Sequence, residues 1–246
     1  MIPTSQLWTD IVAAGEYRFE YQAIINGVSY GIDKLVSIQT EQMVFDKTPA
    51  VGVCASAEMS LSMLKPTATI PRMAQIQLQV RVRNDLQSSE WINQGYYFID
   101  TREETKNDDG VPVLSVHCYD AMLKAEQLFP ATEGGWPRTD INTVKLIAYY
   151  LGLQASASST DGIDQRTLDA MTNGYSISLP AGYTMRETLG NIAAMYAGNF
   201  IITVENKLLL IPINGIPEET SLLVDESGNI ITFGEDAISL ADTTAV

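Results

Sequence analysis

The segment from Ala74 to Arg83 alternates strictly between apolar and polar residues. The apolar set is Ile76, Leu78, Val80 and Val82, and the polar set is Gln75, Gln77, Gln79, Arg81 and Arg83. A helix would scatter both sets around its circumference, whereas successive side chains of a β-strand point to opposite faces. The pattern therefore predicts a β-strand with one buried face and one polar face.

The same period of two recurs through about residues 15 to 120, interrupted by turn residues. It runs from Tyr17 to Ile25 and, on another predicted strand, from Val51 to Leu61. Between them, Asn26-Gly27 predicts a tight hairpin turn, because both central residues of a type I′ turn need positive φ.

A second hairpin is predicted from residues 96–101 and 113–119, joined across the turn residues 107–110. Antiparallel strands connected by short turns are typical of a β-barrel or a β-sandwich. The first half of the chain therefore predicts one of these two architectures.

The middle of the chain, about residues 120 to 200, changes to helical spacing. Asp120 and Asp140 are the predicted N-caps of two helices, because a carboxylate there accepts a free backbone N–H. Thr184 and Glu187 form a predicted capping box at the start of a third helix. Residues 154–162 show no periodicity and are predicted to be a loop.

From about residue 200 the pattern is strand-like again. Residues 200–204 and 207–211 flank a tight turn, and residues 222–224 and 230–233 flank residues 225–229. Residues 225–229 have the composition of a calcium loop but lack the spacing and terminal Glu of an EF-hand, so a hairpin turn is predicted there. The predicted domains are a β domain at 1–120, an α+β domain at 121–200 and a β segment at 201–246.

The charge of the chain is strongly one-sided. Its 30 acidic and 15 basic side chains give a formal net charge of −15. Such a surface repels phosphate backbones and anionic membranes. We therefore expect no stable nucleic-acid binding and no attraction to a membrane surface.

Several features predict a soluble protein made in the cytoplasm. The N-terminus has no basic segment followed by an apolar core, so it does not read as a secretory signal. No apolar stretch approaches the ~20 residues that a membrane helix needs. Cys54 and Cys118 both lie in strand-like segments, where two buried thiols are favoured over a disulfide.

The residues that could carry chemistry are sparse. His117 is the only histidine. Alternation places it on the opposite strand face from Cys118, so the two side chains cannot jointly bind a tetrahedral metal ion without another strand. No nucleophile elbow, zinc helix motif, phosphate loop or dinucleotide fingerprint is present. We therefore expect no catalytic site, no cofactor and no bound metal. A glycosidase needs only two carboxylates from distant positions, and that alternative stays open at this point.

Several longer segments resemble prophage tail proteins of Gram-positive gut bacteria. These segments are residues 70–74, 89–92, 95–103, 117–126, 136–137, 180–189 and 191–199. They resemble the baseplate hub of contractile tails, of the late-control protein D type, which is related to the N-terminal part of siphophage tail-tip lysins. The resemblance covers about residues 50 to 211.

The resemblance implies a fold, a location and a set of partners. The fold class would be α+β and mainly β: an antiparallel hub-type β-barrel, an α+β insertion and an incomplete second barrel, either truncated or completed by a partner. Three copies would form a ring of six barrels in the virion tail. The partners would be tube, spike, distal tail or baseplate subunits.

The function implied is that of a structural, non-enzymatic hub or tail-tip component that links the tail tube to the spike or fibre. The alternatives are a tail-tip adhesin that binds carbohydrate, and the non-catalytic N-terminal part of a tail-associated cell-wall hydrolase. The candidate subunit-interface or lumen face is the polar face of the first strand discussed, formed by Gln75, Gln77, Gln79, Arg81 and Arg83. An ordinary solvated face is an equally valid interpretation of those residues.

Overall fold

A computed structural model of the chain describes residues 4–45, 50–106, 109–130 and 134–213. Beyond residue 213 it describes only the backbone of residues 221–222, 232–233, 236–237 and 239–240. Contacts between Cα atoms divide the chain into two units, residues 1–213 and residues 214–246.

Among the described residues, seven antiparallel strands form the main sheet. Their bounds are β1 Arg18–Ile25, β2 Val28–Tyr30, β3 Leu35–Glu41, β4 Glu58–Leu64, β5 Gln75–Arg83, β6 Ile92–Lys106 and β7 Pro112–Tyr119. Their spatial order is β2-β1-β5-β6-β7-β4-β3, and the sheet curves into a half-barrel. The predicted α+β, mainly β fold class is confirmed.

The strand predicted from residues 74–83 is confirmed as β5, and its apolar face lies in the core. Ile76, Leu78, Val80 and Val82 are buried, while the residues between them are partly exposed. This core also takes side chains from β1, β4, β6 and β7. The alternation in the sequence therefore predicts correctly which β5 side chains face the core and which face outward.

Both predicted hairpins of the first half are present. Asn26 and Gly27 have φ values of 51° and 78°, as a type I′ turn requires. β6 pairs with β7, with a register shift between Ile99 and Thr101. Residues 107–108 of the connecting turn lie outside the described residues.

A helical layer follows the half-barrel. Its elements are a 3₁₀ helix Ala121–Glu126, β8 Arg138–Thr139, α2 Asp140–Tyr150, α3 Gln165–Ala170, β9 Ser176–Ile177, α4 Met185–Met195, β10 Gly198–Ile202 and β11 Leu208–Pro212. The helices cover the β10–β11 hairpin and form a second core around Phe200, Ile147 and Leu189. A further helix, α1 at Gln6–Ala13, precedes the sheet and buries Ile11.

The caps of these helices were predicted with mixed success. The capping box of Thr184 and Glu187 is confirmed at the start of α4. Asp120 does cap a helix, but that helix is 3₁₀ and stops at Glu126. The prediction for Asp140 was wrong: Thr139 is the N-cap of α2, because Asp140 is turned into the interior to accept from the Tyr196 hydroxyl. Neither α1 nor α3 was predicted.

The prediction of a single strand from Val51 to Leu61 was wrong, because the chain changes sheet within it. Only residues from Glu58 onward belong to the half-barrel. The Phe200 N–H donates to the Val53 carbonyl at 2.9 Å, and the Ala55 N–H donates to the Phe200 carbonyl at 3.1 Å. Residues 52–55 therefore run parallel to β10, and Cys54 enters the second core.

In the second unit, Leu222 pairs with Ser239 and Phe233 pairs with Asp236. The strands predicted on either side of residues 225–229 therefore pair with later residues and not with each other, so the hairpin predicted there was wrong; residues 225–229 themselves lie outside the described residues. The division into three domains at residues 120 and 200 stays a prediction. None of the helices within the described ranges has the length and apolarity that a membrane crossing requires.

Candidate functional site

The polar face of β5 is hydrogen bonded to the neighbouring strands. Gln79 lies opposite Gln22 of β1, whose Nε2 donates to the Gln79 Oε1 at 2.6 Å. On the β6 side, the Gln77 Nε2 donates to the Tyr96 hydroxyl at 3.0 Å. Gln75, at the start of the strand, is exposed. Most of this face is therefore engaged within the half-barrel.

At the C-terminal end of β5, the polar face carries an arginine cluster around a single carboxylate. Glu20 of β1 accepts from the Nε and Nη2 of Arg81 at 2.9 and 2.7 Å, and from the Nη1 of Arg83 at 3.2 Å. The Nε of Arg18 lies 3.8 Å from the same carboxylate. The guanidinium of Arg81 also stacks over the Trp91 ring at 4.4 Å. Three cations thus share one anion on a chain of net negative charge.

The ionisation of Glu20 follows from this cluster. Burial alone would raise the pKa of Glu20, but the hydrogen bonds and charges of Arg81 and Arg83 outweigh burial and hold its pKa below the ordinary value. The carboxylate therefore stabilises the folded state above the unfolded-state pKa. That contribution is lost as the pH falls through the lower folded-state pKa.

Replacing Glu20 with Gln should destabilise the protein by about 2 kcal/mol, because the guanidinium groups of Arg81 and Arg83 would lose their shared anion. Urea unfolding at pH 7 measures the loss. The matched control is Glu104→Gln, which breaks the exposed Lys65–Glu104 pair at 2.5 Å and should cost under about 0.5 kcal/mol. Equal losses in the two variants would show that the cluster adds nothing beyond a surface ion pair.

The structure thus places all five predicted interface residues on one face of β5 and brings Arg81 and Arg83 together. Their assignment to a subunit interface or a lumen stays a prediction. Sequence reasoning missed Glu20 and Arg18. The alternation of Arg18 and Glu20 on β1 was visible, but only the register of β1 against β5 places them opposite Arg83 and Arg81.

The half-barrel is open along one side, which we call the seam: the groove between β1 and β3. Within the described part of the chain, β3 pairs only with β4, and β2 pairs with β1 only at residues 23–25. Residues 18–22 of β1 therefore have a strand neighbour on one side only. A groove of 350 Å³ lies here, lined by Tyr21 on one side and by Val36 and Ile38 on the other.

Aromatic side chains in β1 and just before it are exposed beside this groove. Tyr17, Phe19 and Tyr21 are 41%, 47% and 40% exposed, although they continue the strand face that is buried at Ala23. Tyr17 and Phe19 stack edge to face at 5.5 Å, and Trp8 of α1 lies 6.2 Å from Phe19. Three neighbouring aromatic rings in water mark a surface suited to contact with another molecule.

A larger cleft of 750 Å³ lies where α4 meets the half-barrel. Arg186 lines this cleft and makes four contacts. Its Nη1 donates to the Cys54 carbonyl, and its Nη2 donates to the Ser56 hydroxyl at 2.8 Å and to the Met122 carbonyl at 3.2 Å. Its Nε forms an ion pair with Glu126 at 2.7 Å. The arginine therefore joins three separate segments of the chain.

Three carboxylates from distant positions line the same cleft: Glu58, Glu126 and Glu187. Glu126 pairs with Arg186, and Glu187 accepts from the Thr184 N–H at 2.7 Å as part of the capping box. Glu58 lies 3.5 Å from the His117 Nε2. Each of the three carboxylates thus has a partner within the fold.

The remaining candidate residues take structural positions. His117 stacks on Tyr119 with ring centroids 4.9 Å apart, on the strand face opposite the buried Cys118. Both cysteines are free and buried, as predicted, and burial raises the pKa of each thiol to about 12. Among the described residues, no group of three His, Cys, Asp or Glu side chains could hold a metal ion.

Comparison with solved structures finds a similar fold in proteins described as tail proteins. The chain resembles the 43 kDa tail protein of prophage MuSo2 from Shewanella oneidensis, with a TM-score of 0.50 at 13% identity over 83% of this chain. It shares the fold of that protein over this region. A tail protein from Neisseria meningitidis MC58 gives a TM-score of 0.49 at 13% identity over 86% of this chain.

At this level of identity, the likeness concerns the fold. The chain spans 59% of the Shewanella protein and 57% of the Neisseria protein. No family model matches the sequence, and no curated protein matches it.

Proposed function

We propose that this chain is a structural component of a phage tail, placed at the baseplate hub or tail tip, where it links the tail tube to the spike or fibre. The observation that carries the proposal is the shared fold with the MuSo2 tail protein, which extends over 83% of the chain. We infer a non-catalytic role, since the carboxylates of the 750 Å³ cleft serve the fold through Arg186, the α4 cap and His117.

The surface of the half-barrel supports a role in assembly. Open strand edges and exposed aromatic side chains are features that a lone soluble protein avoids, because they invite pairing with other chains. We propose tube, spike, distal tail or baseplate subunits as partners, and a homotrimer in the particle. With a net charge of −15, the protein should let DNA pass without stable binding.

The proposal is tested by locating the protein in particles. An epitope tag fused to the chain in its native prophage should co-purify with induced tails and label one end of the tail in immunogold images. Deleting the coding region should leave tail sheaths or tubes unassembled, and the tagged copy should restore them. Full-length, infectious tails in the deletion strain would contradict the proposal.

A further inference from the structure

The seam offers a backbone edge to an additional strand. Residues 18–22 of β1 pair with β5 on one side, and no described strand lies on the other side. The outer edge of β3, across the groove, is likewise without a strand neighbour among the described residues. A free edge presents unpaired N–H and C=O groups that an extended peptide can bind.

The inner side of this edge favours apolar side chains. Phe19 and Tyr21 project on the face that continues into the core, and each is more than a third exposed. Across the groove, Val36 is 57% exposed. Apolar side chains of an added strand would be buried between these residues.

The outer side of the same edge favours carboxylates. Arg18, Arg81 and Arg83 converge on the single carboxylate of Glu20, and Arg18 is the outermost, with its side chain 60% exposed and its Nε 3.8 Å from Glu20. Glu16 and Asp85 line the same groove as Arg18 and Arg83, so the available positive charge at this edge is that of the exposed Arg18 guanidinium. An incoming carboxylate would balance it.

We propose that the seam binds an extended segment of another tail polypeptide, which joins the free edge of β1 as an added strand with alternating apolar and acidic side chains. The apolar side chains pack on the aromatic residues, and the acidic ones face Arg18. The identity of the partner as a tail protein rests on the proposed function, whereas the strand addition rests on the geometry of the seam.

The test uses fluorescence anisotropy with two fluorescein-labelled heptapeptides, one alternating valine and glutamate and the other alternating valine and lysine. Overall charge alone favours the lysine peptide, because the protein is strongly acidic. We expect the opposite: saturable binding of the glutamate peptide, tighter than the lysine peptide by about tenfold or more. Competition by the unlabelled glutamate peptide should be complete.

Arg18→Glu should weaken binding of the glutamate peptide by about tenfold or more, as should Phe19→Ser. The matched control is Lys106→Glu, an equal charge reversal at an exposed position near the far end of β6, which should leave binding unchanged. Thermal unfolding of each variant shows whether the fold is intact. Because the Arg18 side chain is largely exposed, that variant should still fold, with a small decrease in unfolding temperature caused by the new carboxylate beside Glu20.

Absence of saturable binding, preference for the lysine peptide, or equal affinity in the Arg18→Glu variant would overturn the inference. So would self-association that Arg18→Glu abolishes, which would assign the edge to a second copy, and duplex DNA binding lost in the same variant. The proposed tail function is judged separately, by the location of the tagged protein, which can succeed even if the peptide does not bind.

Discussion

Replacing Arg186 with Ala should destabilise the protein by about 3 kcal/mol, one of the two largest effects we expect. The guanidinium donates to the carbonyls of Cys54 and Met122 and to the Ser56 hydroxyl, and the mutation removes all of these donors at once. Buried acceptors left without a donor cost about 1–3 kcal/mol each, less where water can reach the site. Urea unfolding at pH 7 measures the change.

Two variants separate the hydrogen bonds of Arg186 from its charge. Arg186→Lys keeps the charge but cannot reproduce the planar fork of donors, so it should recover under half of the loss. Glu126→Gln removes only the ion pair of an exposed carboxylate and should cost under about 1 kcal/mol. If Arg186→Lys were as stable as the wild type, the charge rather than the fork would hold the segments together.

The contribution of the buried carboxyl group of Asp120 to stability should fall as the pH rises from 4 to 7. Burial raises the pKa of Asp120 to about 7, although the Ala57 and Met122 N–H groups and the charge of Arg186 oppose the shift. The folded state therefore holds a proton that the unfolded state has released. In that window, this contribution decreases with pH by up to about 1.4 kcal/mol per unit.

The measurement compares wild type with Asp120→Asn by urea unfolding at intervals between pH 4 and pH 8. The Asn side chain is neutral throughout this range. The variant should lose a constant amount of unfolding free energy, because one backbone N–H loses its acceptor, and it should become more stable relative to the wild type as the pH rises. Taking the difference cancels Glu20 and the other titrating groups. A difference that stays constant with pH would mean that Asp120 is ionised throughout this range.

The sequence predicted the elements that have a local signal. The alternation in residues 75–83, the Asn26-Gly27 turn and the Thr184–Glu187 box each depend on neighbours within a few positions, and all three are present in the structure. The helix α1 was missed because it buries only Ile11 and so carries no long apolar stripe. Helix α3 has six residues, too few to show a period.

The candidate site could be predicted only in part, because it depends on pairing between distant strands. The polar face of β5 was visible in the alternation, but Glu20 meets Arg81 across 61 residues of chain. Arg186 likewise reaches Cys54 across 132 residues. A residue pattern states which side of a strand is polar, and it does not state which neighbour the strand will have.

The change of sheet at residues 52–55 has a consequence for how this protein can be divided. Those residues precede β4 in the chain, yet they run beside β10 in the helical half, where their backbone is hydrogen bonded to it. A fragment cut near residue 120 would separate these residues from β10 and leave that edge of β10 without their hydrogen bonds. The contact between Cys54 and Phe200 also joins residues 146 positions apart, and such contacts slow folding because a long loop must close first. The two cores should therefore be expressed and folded together.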